Sequence, residues 1–237
     1  MSLKAPANRA VIWDMDGVIA DTAQYHFQSW QDVLGKRGVH ITMEQFRPTF
    51  GQRNDSIIRK NVGETISQSE IDAIAEEKER SFRRRIGAAQ DFKPLPGVLA
   101  LMDSLREHRF RMALASSGPR ENIRLLVKML GVGDYFQAIV AGRDVTESKP
   151  SPQIYLLAAQ KLGVSPANCT VIEDAIAGVD GAKQAGMHCV AVTTTHPHHR
   201  LTGADIIVDS LEEITVNDWG ELLISSTVET GTKQPQK

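Results

Sequence analysis

The hydrophobic pattern of this chain changes character twice. Ala10-Val11-Ile12-Trp13 is a short, continuous, partly β-branched apolar run stopped by Asp14 and Gly17, and it predicts a buried strand over Arg9 to Asp14. From Asp21 to about Phe92 the apolar positions instead recur at helical spacing: His26-Phe27 with Trp30, Val33-Leu34, Ile57-Ile58, then Ile71 with Ile74 and Ala75. Pro94-Leu95-Pro96-Gly97 ends this block, and beyond it strand and helix alternate. Strands are predicted at Arg111 to Ser116, Ala138 to Ala141, Cys169 to Ile172, His188 to Val192 and Asp205 to Val208. Helices fall between them at Val98 to Glu107, Arg120 to Leu130, Pro152 to Leu162 and Ala175 to Gln184. Pro119 and Pro152 both suit a first helical turn.

Strand and helix in alternation mean parallel strands joined by right-handed crossovers. The predicted fold class is therefore α/β: a doubly wound, Rossmann-like parallel sheet core with an inserted α-helical cap. The core takes residues 1–20 and 93–224 and the cap takes residues 21–92. Residues 225–237, polar and aperiodic, form a flexible tail.

Composition narrows the function classes. The 27 Lys and Arg against 29 Asp and Glu leave a formal charge of -2, so no overall positive field favours nucleic acid or anionic lipid. No apolar stretch reaches the length of a signal peptide core or a membrane span, and a cytoplasmic location is the default expectation. Cys169 and Cys189 both sit in apolar runs, where reduced, buried thiols are expected.

In open parallel sheets ligands bind beyond the carboxyl ends of the strands. Those positions hold Asp14-Met15-Asp16-Gly17, Ser116-Ser117-Gly118 and Glu173-Asp174, with Lys149-Pro150 following the Ala138 strand after a short loop. Two carboxylates about 4 Å apart repel by roughly 4 kcal/mol at an effective dielectric of 20, so four of them require a cation or a proton. Oxygen ligation favours Mg²⁺, with Asp14 and Asp174 as side-chain ligands and Asp16 offering its backbone carbonyl. Mg²⁺ and Lys149 together leave one negative charge, and a proton on Asp16 would cancel it. Asp16 is then the acid and Asp14 the ionised nucleophile. Such an inventory suits phosphoryl transfer, in which metal and lysine neutralise the equatorial oxygens while a carboxylate attacks in line.

The ordered series Asp14-Met15-Asp16-Gly17-Val18-Ile19, a Ser after an apolar strand, Ser148-Lys149-Pro150 and Ile172-Glu173-Asp174 resembles the four motifs of the haloacid dehalogenase superfamily, and the likeness runs to about Val208. The resemblance implies that Asp14 forms an aspartyl phosphate and that Asp16 protonates the leaving oxygen and then activates the acceptor. Ser116 and Lys149 would hold the phosphoryl oxygens, and Asp174 would bind Mg²⁺, with Glu173 as a second acidic contributor, directly or through water. An Asp at position 16 points to phosphoester chemistry, because branches that cleave carbon-halogen or carbon-phosphorus bonds generally lack it.

Within the block, Asp21-Thr22-Ala23-Gln24-Tyr25-His26 with Trp30, Gly51-Gln52-Arg53 and Lys78 is similar to the β-phosphoglucomutase-like branch. That likeness implies a substrate-binding set of Thr22 and His26 at the hinge, Arg53 at a distal phosphate and Lys78 near the leaving or accepting oxygen, with Ser117 and Arg120 beside the second motif. Gly118-Pro119-Arg120 departs from the branch's Ser-Lys-Asn, and glycine and proline have no side-chain donors for a second phosphate. The favoured function is a Mg²⁺-dependent phosphatase of a small sugar phosphate. A β-phosphoglucomutase and a non-catalytic module on the same fold are the alternatives. The expected partner is a small phosphorylated metabolite, with no nucleic acid or membrane, and the chain is expected to be a monomer or weak homo-oligomer.

Other motifs have plainer readings. His196-Pro197-His198-His199 reads as a loop, Arg83-Arg84-Arg85 as a solvated helix face, and Trp13 and Trp30 as core. Gly131-Val132-Gly133 lacks the spacing of a dinucleotide-binding turn.

Overall fold

The computed structural model describes residues 8–218, so the predicted tail at 225–237 lies outside the described residues. Strands β1 (Ala10–Trp13), β2 (Arg111–Ser116), β3 (Ala138–Ala141), β4 (Cys169–Glu173), β5 (His188–Val192) and β6 (Ile206–Val208) form one parallel sheet in the order β3-β2-β1-β4-β5-β6. Strand β1 lies at its centre, Ala10 in register with both Arg111 and Cys169. Strand order reverses direction at the β1/β4 junction, where a crevice opens beyond the carboxyl ends. Asp14 follows β1 there, and Glu173 closes β4.

The pleat sends alternate residues to opposite faces, and the helices sort accordingly. Val11 and Trp13 pack with α5 (Val98–Glu107) and α6 (Arg120–Leu130), whereas Ala10 and Ile12 pack with α7 (Gln153–Leu162) and α8 (Ile176–Gln184). This two-sided burial explains why the strands read as continuous apolar runs. Cys169 and Cys189 are buried free thiols.

Between β1 and α5 the chain forms α1 (Ala23–Gly35), α2 (Met43–Phe46), α3 (Asn54–Val62) and α4 (Gln68–Gly87). These helices build their own apolar cluster around Trp30, Leu34, Phe46, Ile58 and Ile71. The start of α4 is fixed by a capping box between Ser67 and Glu70. Its last turns leave that cluster: Phe82 and Ile86 pack into the sheet's own core. Where the helical block begins and ends, the two chain segments are clasped by the Leu95 N–H donating to the Ile19 carbonyl at 2.9 Å.

One surface expectation is corrected. Of Arg83-Arg84-Arg85 only Arg84 is fully solvated. The Arg85 guanidinium donates twice to Asp32 Oδ2, at 3.1 and 2.6 Å, and Arg83 donates to Asn122 Oδ1 at 2.9 Å. The basic run thus faces neighbouring helices because α4 is long enough to reach both α1 and α6. No described helix is long and apolar enough to cross a membrane.

Candidate active site

Asp14 leaves β1 with both carboxylate oxygens engaged. Oδ1 accepts from Lys149 Nζ at 2.6 Å and Oδ2 accepts from the Asp16 N–H at 3.0 Å. Burial pushes the Asp14 carboxyl up to about 7; Lys149 opposes the shift, while Glu173 and Asp16 add to it. Burial also disfavours the Lys149 ammonium, yet the Asp14 and Glu173 carboxylates hold its pKa well above the usual lysine value.

Glu173 serves this lysine. Its Oε1 accepts from Lys149 Nζ at 2.5 Å and from the Tyr155 hydroxyl at 2.7 Å, and its Oε2 accepts the Asp174 and Ala175 N–H groups at 2.9 and 3.0 Å. Against the upward push of burial, Lys149, Tyr155 and the Ala175 N–H hold it below the ordinary glutamate range. A Cβ at Gly178 would lie 1.9 Å from the Glu173 carboxyl, so α8 carries a glycine where that carboxylate folds back. The expectation of Glu173 as a metal contributor is therefore corrected to an anchor for Lys149, because all its oxygen contacts point into the protein.

Asp174 lines the same cavity as Asp14. Its carboxyl is raised well above the ordinary range, first by burial and then by the Glu173 and Asp14 charges, with the Thr195 hydroxyl bond opposing. Gly17, at φ +84°, lets the chain pass where a Cβ would lie 1.9 Å from Asp174 Oδ2. Among the described residues no three His, Cys, Asp or Glu side chains gather as a metal cluster. Asp14 and Asp174 line one cavity and could offer a side-chain oxygen each to a cation, with a backbone carbonyl such as that of Asp16, water and substrate oxygen completing the kind of mixture that Mg²⁺ favours. Buried carboxylates in excess of the single Lys149 ammonium fit a divalent cation there.

The charge state expected of Asp16 is also corrected. Burial pushes its carboxyl up, but His26 and Thr22, with Lys78 behind them, hold it below the ordinary range, so it is ionised rather than protonated. Oδ1 accepts from Thr22 Oγ1 at 2.6 Å and meets His26 Nε2 at 3.4 Å. Thr22 stands at the N-cap position of α1 yet makes no side-chain cap; its hydroxyl is committed to Asp16. Burial and then the Lys78 charge lower the His26 pKa despite Asp16, leaving a neutral ring at pH 7. Its Nδ1 then accepts from Lys78 Nζ at 2.8 Å while Nε2–H faces Asp16, and the ring stacks on Phe82 at 3.9 Å between centroids.

The structure brings Asp16, Ser117, His26, Lys78 and Arg53 together around a cavity of about 660 Å³ between the helical block and the sheet. A neighbouring cavity of about 590 Å³ lies over Asp14, Lys149 and Asp174, and Asp16, Phe50, Gly51, Gln52 and Ser117 line both. Ser116, at the end of β2, is buried beneath and accepts the Gly118 N–H at 3.1 Å. Arg53 lies at the mouth, with NH1 at 3.4 Å from the Thr146 carbonyl and Nε at 3.4 Å from Asp55. Arg120 is not among the lining residues: it pairs with Asp144 at 2.6 Å, drawn away by the turn after β3.

Three participants escaped the sequence reading. Thr195 follows β5 and was open to the same strand-end rule that found Asp14 and Asp174. The Tyr155 hydroxyl sits on a helix face that reads simply as core. Glu79, buried within a run of charges, gave no signal apart from its place beside Lys78.

This arrangement, carboxylates and one lysine at a parallel-sheet switch point beneath an inserted helical block, has close parallels. The chain belongs to the haloacid dehalogenase-like hydrolase family, whose profile matches residues 11–192. It is 32% identical over 229 residues to a β-phosphoglucomutase of Bacillus subtilis (strain 168), covering 93% of this chain and 99% of that one. It is 33% identical over 186 residues to the fructose-1-phosphate phosphatase YqaB of Escherichia coli (strain K12), covering 77% and 95%. The crystal structure of a β-phosphoglucomutase from Clostridium difficile superposes with a TM-score of 0.84 at 29% identity, covering 93% and 99%.

Proposed function

We propose that this chain is a Mg²⁺-dependent phosphatase of small sugar monophosphates, with residues 21–92 acting as a cap over the site. Asp16, ionised in the free protein, takes up a proton from solvent as the phosphate monoester binds; Asp14 then attacks phosphorus, the ester P–O bond breaks, and the leaving oxygen takes that proton from Asp16. In the second half Asp16 takes a proton from water, whose oxygen attacks the aspartyl phosphate, releasing inorganic phosphate and restoring Asp14. A bound phosphate raises the Asp16 pKa by like-charge repulsion, the direction an acid requires. Lys149 holds Asp14 in place and meets a phosphoryl oxygen. Mg²⁺, when bound by Asp14, Asp174 and the Asp16 carbonyl, supplies charge neutralisation for the transferred group.

One observation carries the choice of hydrolase: the groups that would grip a second phosphate are already engaged. Lys78 is held by Glu79 and His26, Arg120 by Asp144, and Gly118 and Pro119 offer no side-chain donor. Arg53 favours the second reading, a mutase, because it lines the cavity where a distal phosphate would lie.

The deciding experiment incubates the protein with Mg²⁺ and a panel of sugar phosphates, including β-glucose 1-phosphate with a bisphosphate primer. Phosphate release that disappears in Asp14→Asn is the expected result. Glucose 6-phosphate formed without phosphate release would establish the mutase instead.

A further inference from the structure

Lys78 and Glu79 are adjacent on α4 and both almost fully buried, at 3% and 6% exposure. A place for Lys78 near the leaving or accepting oxygen does not account for its neighbour. Glu79 Oε1 accepts from Lys78 Nζ at 2.9 Å and from Asn54 Nδ2 at 2.8 Å. Its other oxygen, Oε2, accepts from Asn122 Nδ2 at 2.5 Å. Asn122 is not part of the helical block: it stands in the first turn of α6, just beyond Gly118-Pro119 and the end of β2, and is itself buried. Its Oδ1 accepts from Arg83, so both ends of the amide are committed to α4.

A polar chain therefore runs from the sheet domain back to the acid. Asn122 donates to Glu79, Glu79 accepts from Lys78, Lys78 donates to His26, and the imidazole faces Asp16. Each link has a physical reason. A buried ammonium needs an anion, and Glu79 is its salt-bridge partner among the described residues. With Lys78 held on Nδ1, the neutral imidazole keeps its proton on Nε2, toward Asp16. Oε2 obtains its partner only while α4 rests on α6, since Asn54, the other amide on this carboxylate, belongs to the block itself. A buried carboxylate deprived of that partner is strongly disfavoured, so the contact rewards seating of the block.

We propose that Glu79 is a positioning residue for Asp16, and that its contact with Asn122 ties the ordering of the acid to closure of the helical block on the sheet. The role in turnover rests on the phosphatase reading; the tie between α4 and α6 does not. Closure thereby completes the set Lys78, His26 and Asp16, instead of merely covering it.

The test uses the full chain as Glu79→Gln, Asn122→Asp and the double variant, each checked for folding by circular dichroism. The first readout is leaving-group dependence. A sugar phosphate needs a proton on its leaving oxygen, whereas p-nitrophenolate leaves without one. Glu79→Gln should lower the single-turnover rate of leaving-group release from the best sugar phosphate of the panel by about 10–100-fold, the range set by losing a charge-assisted hydrogen bond, and from p-nitrophenyl phosphate by less than about threefold, since the later attack of water, which also uses Asp16, is common to both and lies outside this readout. Equal losses on both substrates, or none on either, would overturn the positioning role. The second readout is closure. Asn122→Asp sets two carboxylates against each other and should raise KM about tenfold or more and increase the radius of gyration in solution scattering. Adding Glu79→Gln restores an amide-to-carboxylate contact and should return both values toward wild type while leaving-group release from the sugar phosphate stays slow. An unchanged radius and KM in Asn122→Asp would overturn the tie. A wild-type chain that releases phosphate from no ester would defeat the phosphatase reading and the turnover role, while the scattering comparison would still decide the contact between α4 and α6.

Discussion

Replacing Lys149 by methionine removes one buried ammonium from between two carboxylates. Asp14 and Glu173 both touch the same nitrogen, at 2.6 and 2.5 Å, so they are at most about 5 Å apart. At an effective dielectric of about 20 each lost attraction is roughly 4 kcal/mol or more, and the exposed repulsion between the two carboxylates adds roughly 3 kcal/mol. Relief from desolvating the ammonium offsets a large part, leaving a net destabilisation of about 3–5 kcal/mol, the usual consequence of breaking a buried pair. Its pH dependence distinguishes charge from packing. Without Lys149 the folded-state pKa of Asp14, already raised to about 7, rises further, and that of Glu173 moves from below its unfolded value to above it. The penalty is then complete above the folded pKa values and shrinks as pH falls toward the unfolded ones, because folded protein can take up protons. Urea unfolding followed by circular dichroism, without divalent cations, should show a gap from wild type of about 3–5 kcal/mol at pH 8 that falls by at least half at pH 5. A gap of the same size at both pH values would show that Lys149 acts by filling space, and the electrostatic account of the site would be wrong.

Two further outcomes follow from the same geometry. Gly178→Ala places a Cβ on the Glu173 carboxyl, so the melting temperature should drop by about 5–10 °C, as overpacking of roughly 2–3 kcal/mol implies for a chain of this length; unchanged melting would mean that Glu173 has another place to go. Because burial raises Asp14 to about 7, Mg²⁺ must displace a proton below that pH, and calorimetric titration should find affinity falling by up to about tenfold between pH 7 and pH 6. The same affinity at both pH values would remove Asp14 from the ligand set.

The strands and the acids at their ends were legible because parallel strands buried on both faces leave continuous apolar runs, and whatever follows each run must emerge in the crevice. Asp14, Asp16 and Asp174 needed nothing else. What the chain hid were partnerships across distance. The charge of Asp16 could not be deduced by balancing the four carboxylates against Mg²⁺ and Lys149, since its donors, Thr22 and His26, come from the inserted helix. Glu173 read as a ligand until its oxygens were followed to Lys149, Tyr155 and the chain beyond β4. Arg120 stood in the right place in the order of residues, but Asp144, after β3, claims it. Each correction turns on which partner a side chain takes, and that choice is made by packing rather than by spacing.

The clasp between Leu95 and Ile19 has a use beyond this molecule. The chain departs from the sheet and returns to it at one hydrogen bond, and beyond that stem the four helices are tied to the sheet by the last turns of α4, through Phe82, Ile86 and the contacts with Asn122. Those two positions mark a natural graft point: helices of another length, joined there and keeping apolar side chains where Phe82 and Ile86 fill the sheet's core, would bring a different wall to face Asp14 and retune what the sheet can act upon.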